Sequence, residues 1–169
     1  MRKLIVLVFI IAISLNASAQ NLKFGPIVGG VITNLGVENF STSNNPGINF
    51  GVFLEFGKSK WAGETNLMLL LADSPYKGAL IMPVHLKYYI SNKFYFKCGP
   101  TFGAKLYDMD LIYGDNHRRY FAGIGCGLGY KISKRLSIDV TYDRSLTSIS
   151  YPYSNLGLAL KWNILKINQ

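Results

Sequence analysis

Two histidines and nine acidic residues are the side chains in this sequence that could carry acid–base chemistry. His85 lies in a segment of alternating apolar and polar residues, and His117 lies in a long polar segment. A hydrolase of this type needs a histidine that converges with a serine and an acidic residue. The serines nearest in sequence fall in turns and loops, so we predict no catalytic site and no enzyme activity.

The run from Gly123 to Gly129 is the segment that most resembles a nucleotide-binding loop. A dinucleotide loop has the spacing G-x-G-x-x-G and opens a helix, because the helix N-terminus holds the phosphates. Here the glycines occupy every second position and lie inside a strand pattern. No His, Cys, Asp or Glu spacing resembles a metal site either. We therefore predict no cofactor and no metal.

The two cysteines, Cys98 and Cys126, fall on successive predicted strands and share the apolar face. If those strands pair symmetrically about residue 112, the two residues lie directly opposite each other, and a disulfide becomes possible in an oxidising compartment. The alternative is two small apolar side chains without a bond, and both readings stay open here. The same register would place Lys105 opposite Arg119.

The elements that position these residues are strands, because apolar residues recur at every second position about eight times along the chain. Each segment has about 9 to 13 residues, enough to cross a hydrocarbon layer when tilted. Seventeen glycines, eleven tyrosines and ten phenylalanines also favour strands over helices. The alternating segments are residues 22–32, 48–56, 61–71, 80–90, 94–106, 120–132, 136–143 and 156–164.

Short and long connections alternate between these segments. The short polar turns are 57–60, 91–93 and 133–135, and the long polar segments are 33–47, 73–78, 107–118 and 147–153. This arrangement is typical of an antiparallel up-and-down transmembrane barrel with short periplasmic turns and longer extracellular loops. The sequence therefore predicts an all-β, eight-stranded barrel.

The N-terminus has the layout of a secretory signal peptide. A basic start at Met1 to Lys3 precedes an apolar run from Leu4 to Leu15, and a small-x-small pattern ends at Ala19. The run is too short for a membrane anchor, which is the alternative. We predict a signal peptide over 1–19, cleaved near Ala19-Gln20, and a barrel domain over 20–169, whose formal charge falls from +9 to about +7.

The apolar face is expected to lie outside, against lipid. It carries about forty mostly large side chains, more than the interior of an eight-stranded barrel can hold. The opposite face is rich in glycine, which makes room for long neighbours inside a narrow lumen. A belt of aromatic residues near the short turns supports this orientation. Its members are Phe24, Phe56, Trp61, Tyr88, Phe94, Tyr130 and Trp162.

Charged residues fall on the lumen face, where they should form an ion-pair network, because an unpaired buried charge is costly. We predict a structural network that fills the bore; the alternative is a narrow, anion-favouring path. The predicted members are Glu55, Glu64, Lys87, Lys97, Lys105, Arg119, Lys131, Asp139, Asp143 and Lys161.

The segment from Ile81 to Gly103 resembles the PorT-like outer-membrane β-barrel family of Bacteroidetes-type bacteria. The features that carry the resemblance are Pro83, Lys87-Tyr88, a tight turn, Gly99-Pro100 and Gly103. The resemblance implies a small eight-stranded barrel of the outer membrane. One departure is the C-terminus, which continues beyond Trp162 to Gln169, whereas such barrels often end on an aromatic residue.

These observations predict an integral protein of the cell outer membrane with a structural or surface-interaction role through its extracellular loops. We expect a monomeric barrel that contacts outer-membrane lipid, including lipopolysaccharide, and possible protein partners at the loops, but no nucleic acid. One alternative is a component of a secretion or transport apparatus, and a remote one is a lipid-modifying enzyme. Candidate surface contacts are Tyr113, His117, Arg118 and Arg144.

Overall fold

Eight antiparallel strands close into a barrel in the computed structural model, which describes residues 21–35, 43–58, 60–72, 78–106, 120–147 and 153–168. Each strand pairs with the next in the chain, and β1 closes the barrel by pairing with both β2 and β8. This confirms the predicted fold class. The strands are β1 (Asn21–Leu35), β2 (Ser43–Lys58), β3 (Trp61–Ala72), β4 (Ala79–Tyr89), β5 (Phe94–Lys105), β6 (Tyr120–Lys131), β7 (Leu136–Ser145), β8 (Tyr153–Trp162) and a short β9 (Leu165–Asn168).

The ninth segment continues β8 along the same side of β1. The pairing runs from Leu35↔Tyr153 to Ile27↔Lys161, and it resumes with Phe24↔Leu165 after a shift of one residue. An extra residue in one strand is a β-bulge, and it falls where Pro26 of β1 has no amide hydrogen to donate. The residues that follow Trp162 therefore extend the barrel wall.

The first long connection is shorter than the sequence indicated. The prediction of a loop over 33–47 was wrong at both ends, because β1 continues to Leu35 and β2 already begins at Ser43. Asparagine, serine and threonine residues in these extensions made the segment look like a loop. Pairing with each other satisfies their backbone groups in spite of that composition.

The alternation separates an apolar outer face from a buried inner face. On β4, Leu80 and Leu86 are 40% and 57% exposed, whereas Ile81 and Lys87 are 7% and 2% exposed. A soluble protein would bury such large apolar side chains and expose the lysine, so the exposed face fits lipid as its solvent. Among the described residues, no helix is long and apolar enough to cross a membrane.

Glycines leave room for bulky side chains inside the barrel. A Cβ atom added to Gly129 would lie 2.1 Å from the ring of Tyr95, and one added to Gly103 would lie 2.0 Å from the ring of Phe121. Both rings are almost completely buried. The narrow bore can hold these aromatic rings only where the facing strand lacks side chains.

The interior also contains apolar clusters that the sequence analysis had not placed there. One cluster comprises Val31, Leu70, Ala79, Ile81 and Phe121, and a second comprises Ile27, Phe53 and Ala159. Met68 packs against both clusters. The bore is therefore filled by apolar layers as well as by charged side chains.

Candidate functional site

Glu64 of β3 is the centre of the charged interior. Its carboxylate receives three lysines from three other strands: Lys87 Nζ at 2.9 Å, Lys97 Nζ at 3.3 Å, and Lys161. Glu64 and all three lysines are at most 2% exposed. Every second residue of these strands points inward, and the stagger of the strands brings the four side chains to one level of the bore.

Asp139 of β7 is the second acceptor of two of these lysines, Lys97 and Lys161. Lys161 Nζ lies 2.6 Å from its Oδ2 atom, and Lys97 also forms a salt bridge with it. The hydroxyl of Tyr95 donates a hydrogen bond to the other carboxylate oxygen. Asp139 has no exposed surface. Both of its oxygens are thus paired, as a buried carboxylate requires.

Glu55 of β2 extends the network toward the short turns. It forms salt bridges with Lys87 and with Lys23 of β1. The hydroxyl of Tyr89 donates a 2.7 Å hydrogen bond to its Oε1 atom. We call Lys23, Glu55, Glu64, Lys87, Lys97, Asp139 and Lys161 the interior charge network.

The interior charge network contains three carboxylates and four ammonium groups that connect seven of the eight strands. Seven of the largest side chains inside the barrel carry charged or hydroxyl groups, among them Tyr95 and Lys97, and they are excluded from solvent. Buried ion pairs of this kind fix the relative positions of strands when every partner is satisfied. These side chains block the bore, and their charges are paired within it.

The other predicted members have different surroundings. Asp143 faces inward and accepts a 2.7 Å hydrogen bond from Thr101 Oγ1, and it forms no salt bridge with another described residue. The ammonium group of Lys131 lies 3.8 Å from the centre of the Tyr89 ring, closer to the short turns. The Lys105 side chain and Arg119 lie outside the described part of the structure.

Three of the interior residues were not assigned to the network from the sequence, although the alternation of inward and outward positions places them in the interior. Lys23, Tyr89 and Tyr95 occupy the odd positions of their strands, which are the inward positions. Tyr95 is 1% exposed. Tyr89 and Tyr95 were left out because the network was predicted from charged residues alone, but position along the strand determines which way a side chain points.

His85 lies in the interior and is 2% exposed. Neither of its ring nitrogens has a hydrogen-bond partner among the described residues. A Cβ atom added to Gly125 would lie 3.1 Å from His85 Nε2 and 2.1 Å from Asp143 Oδ1, so these two side chains flank that glycine. His117 lies outside the described residues. The described residues do not bring a serine hydroxyl into a hydrogen bond with His85.

Cys98 and Cys126 pair directly across β5 and β6, with their Cα atoms 4.1 Å apart, and a disulfide joins them. The register is the one that symmetry about residue 112 requires. Both residues share the outward parity of Phe96 and Leu128, so the bond lies on the outer face.

The seven predicted belt residues lie at the end of the barrel that carries the short turns. The rings of Trp61 and Tyr88 pack with centroids 4.7 Å apart, and those of Phe94 and Tyr130 do the same at 4.7 Å. Phe24 and Trp162 are exposed on the outer face, and Phe56 covers Gly63 of the next strand. Such paired rings suit the boundary between hydrocarbon and headgroups.

The opposite rim carries Arg144, which shares the outward parity of Val140 and Tyr142 and is exposed. It pairs with Ile124 on one side and with Ser154 on the other. Tyr142 and Tyr120 are 49% and 75% exposed on the same outer face. The other candidate contacts, Tyr113, His117 and Arg118, lie outside the described residues.

The profile of a family described as outer membrane protein beta-barrel domain matches residues 5–164. The fold is similar to that of Ail, the attachment invasion locus protein of Yersinia pestis, at 12% identity and a TM-score of 0.56, over 86% of this chain and 99% of Ail. It is also similar to Neisserial surface protein A, at 8% identity and a TM-score of 0.55, over 86% of this chain and 97% of that protein. A structure from the de novo design of transmembrane β-barrels has 16% identity and a TM-score of 0.53, over 87% of this chain and 98% of the design. At these identities the likeness shows the fold alone. No curated protein matches the sequence.

Proposed function

Because this chain belongs to the outer membrane protein beta-barrel domain family, we propose that it is a structural or surface-interaction barrel. It acts through its extracellular loops and through the loop-end rim, which is the end of the barrel that carries Tyr120, Tyr142 and Arg144. The observation that carries the proposal is the filled bore, in which Glu64 receives three lysines from other strands. A barrel closed in this way offers a partner its rim, its loops and its lipid-facing wall.

We propose that the loop-end rim binds the phosphate groups of lipopolysaccharide. Arginine forms charge-assisted, often bidentate hydrogen bonds with phosphate. Arg144 supports the proposal because it is exposed and outward-facing at that end, near the exposed rings of Tyr142 and Tyr120. Arg118, in the neighbouring loop of the sequence, is the second candidate.

The test is lipopolysaccharide binding by the protein in nanodiscs. Arg118→Glu with Arg144→Glu should lower binding severalfold, because two attractive contacts become repulsive. Lys58→Glu with Lys60→Glu, which makes the same charge change at a short turn, should leave binding unchanged. Equal binding by the Arg118/Arg144 variant and the wild type would refute the proposal. The same assay should also measure the binding of a sulfated sugar, because a structure of Ail contains the heparin analogue sucrose octasulfate.

We further propose that the barrel has no catalytic function and that it is close to the PorT-like group. The burial of His85, without a hydrogen-bond partner among the described residues, supports the first point. The β4–β5 hairpin, with Pro83 and Gly99-Pro100, supports the second. A lipid deacylation activity that disappears in a His85→Ala, His117→Ala variant would contradict the first point.

A further inference from the structure

A cavity of about 840 Å³ occupies the interior at the end of the barrel that carries the short turns. We call it the turn-end vestibule. Its floor is formed by interior residues such as Phe53 and Tyr95, and its rim by the exposed turn residues of the β6–β7 connection. The basic residues that line it are Lys23, Lys87, Lys93, Lys131, Lys134, Arg135 and Lys161, and the acidic one is Glu55.

The charges of the vestibule do not balance. Lys23 and Lys87 are neutralised by Glu55 and Glu64, and Lys161 by Glu64 and Asp139. Lys93, Lys134 and Arg135 add positive charge at the rim, while Glu55 is the one carboxylate among the described residues that line the cavity. The vestibule therefore has a positive potential.

The acidic residues of the sequence are distributed away from the short turns. Five of the nine acidic residues fall in the predicted long loops: Glu38, Asp73, Asp108, Asp110 and Asp115. The three short turns contain Lys58, Lys60, Lys93, Lys134 and Arg135 but no acidic residue. A concave wall lined by one sign of charge concentrates ions of the opposite sign.

Asn163 adds a buried polar side chain to the wall of the vestibule. It is only 8% exposed, and its side-chain oxygen has no hydrogen-bond partner among the described residues. Buried amides are normally satisfied, because an unpaired one costs free energy. An amide oxygen accepts hydrogen bonds and does not donate them, so the cations of the wall and rim, and not Asn163, are the groups that would hold an anion.

The rim is preorganised as well. Ser133 Oγ accepts hydrogen bonds from the backbone amides of Arg135 and Leu136 at 3.2 and 3.1 Å, which fixes the β6–β7 turn. A fixed turn reduces the entropy lost when its side chains bind a ligand. A single exposed ion pair contributes little free energy, so a ligand must meet several of these cations at once.

We propose that the turn-end vestibule binds a multivalent phosphate that enters along the barrel axis from the side of the short turns. Lysine ammonium and arginine guanidinium groups surround the oxyanions. The interior position of Lys23, Tyr89 and Lys161 favours a free phosphorylated molecule over a phospholipid headgroup, since lipids contact the outer face. The site is at the opposite end of the barrel from the rim that we propose for lipopolysaccharide.

The experiment measures tripolyphosphate binding by calorimetry, with the full chain in neutral detergent micelles at low salt. Lys134→Ser with Arg135→Ser should weaken binding by about tenfold, as expected for the loss of two solvent-exposed charge contacts. Lys60→Ser is the matched control for Lys134→Ser, because each removes one exposed turn lysine but Lys60 does not line the vestibule. Asn163→Asp should also weaken binding, because it adds negative charge to the wall.

Three results would overturn the proposal. The first is no tripolyphosphate binding by the folded wild type. The second is equal weakening by Lys134→Ser and Lys60→Ser, which would indicate a response to net charge. In the third, the wild type binds nanodiscs that contain phosphatidylglycerol but does not bind tripolyphosphate, and the Lys134→Ser, Arg135→Ser variant loses the binding to nanodiscs. That result would indicate that the ligand is a lipid headgroup. Heat-modifiable gel migration identifies which variants are folded before any titration.

Discussion

Glu64 and Asp139 lie on different strands of the barrel, β3 and β7, and both bind the same two lysines, Lys97 and Lys161. The two carboxylates would repel each other without those ammonium groups between them. The shared lysines link four strands, of which only β7 and β8 are consecutive in the chain. The network therefore holds these strands together across the bore, and removal of one member should weaken the ion pairs of the others.

Removal of the Glu64 charge should be strongly destabilising. Glu64→Gln leaves Lys87, Lys97 and Lys161 without their common acceptor, and loss of one member of a buried ion pair typically costs about 3 to 5 kcal/mol. Urea unfolding in micelles, followed by tryptophan fluorescence, measures the change. Asp143→Asn is the matched control, because the carboxylate that it removes is interior and forms no salt bridge with another described residue. The amide oxygen of the asparagine can still accept the hydrogen bond from Thr101. Equal losses in the two variants would contradict the central role of Glu64.

A side chain at Gly129 should disturb the packing of Tyr95. The added Cβ of Gly129→Ala would lie 2.1 Å from the ring, and the cost of such overpacking is about 1 to 3 kcal/mol. Gly30→Ala is the control, because a Cβ at that position meets no atom within 4 Å. Tyr95→Leu should recover part of the loss in the Gly129→Ala background. Equal stability of the two alanine variants would show that the glycine is not needed as a spacer.

The disulfide should contribute measurably to stability. It closes a loop across a sequence separation of 28 residues, for which the chain-entropy relation gives about 3 to 4 kcal/mol. The comparison is between oxidised and reduced wild type, with Cys98→Ala, Cys126→Ala expected to match the reduced form. Maleimide labelling of the denatured, unreduced protein should find no free thiol. Labelling of both cysteines would contradict the bond.

The wild-type barrel should not conduct ions. Interior side chains such as Tyr95, Lys97 and Thr101 are at most 1% exposed and fill the bore, and eight strands leave an interior wide enough only for side chains. Planar-bilayer recordings, with a porin as the positive control, should give no current steps. Regular steps from the pure protein would support the transport alternative instead.

The sequence predicted the residues that face inward wherever the period of two was regular. It identified Glu64, Lys87, Lys97, Asp139 and Lys161 as interior residues, because alternate positions of a strand point to opposite faces. It failed where residue type was given more weight than position. Tyr95 was not assigned to the interior, and the Thr- and Asn-rich ends of β1 and β2 were read as a loop.

Local pairing also followed from the sequence. The register Cys98↔Cys126 results from the symmetry of two strands that are consecutive in the chain, so a single assumption about residue 112 was sufficient. No comparable rule predicted the continuation of the wall by Leu165–Asn168. That segment depends on a shift of one residue opposite Pro26, and β1 becomes its neighbour only when the barrel closes.

The sequence by itself therefore determined the class of fold, the lipid-facing and interior faces, and the set of interior charges, because all three depend on local periodicity. Only the tertiary structure decided which charges meet. Lys161 binds Glu64 across 97 residues, and their strands are brought together by closure of the barrel and not by a turn. Distances within the bore depend on strand stagger and barrel diameter, which are properties of the whole sheet. The same closure brings Lys23, Lys131 and Arg135 around one vestibule, although no sequence pattern connects them.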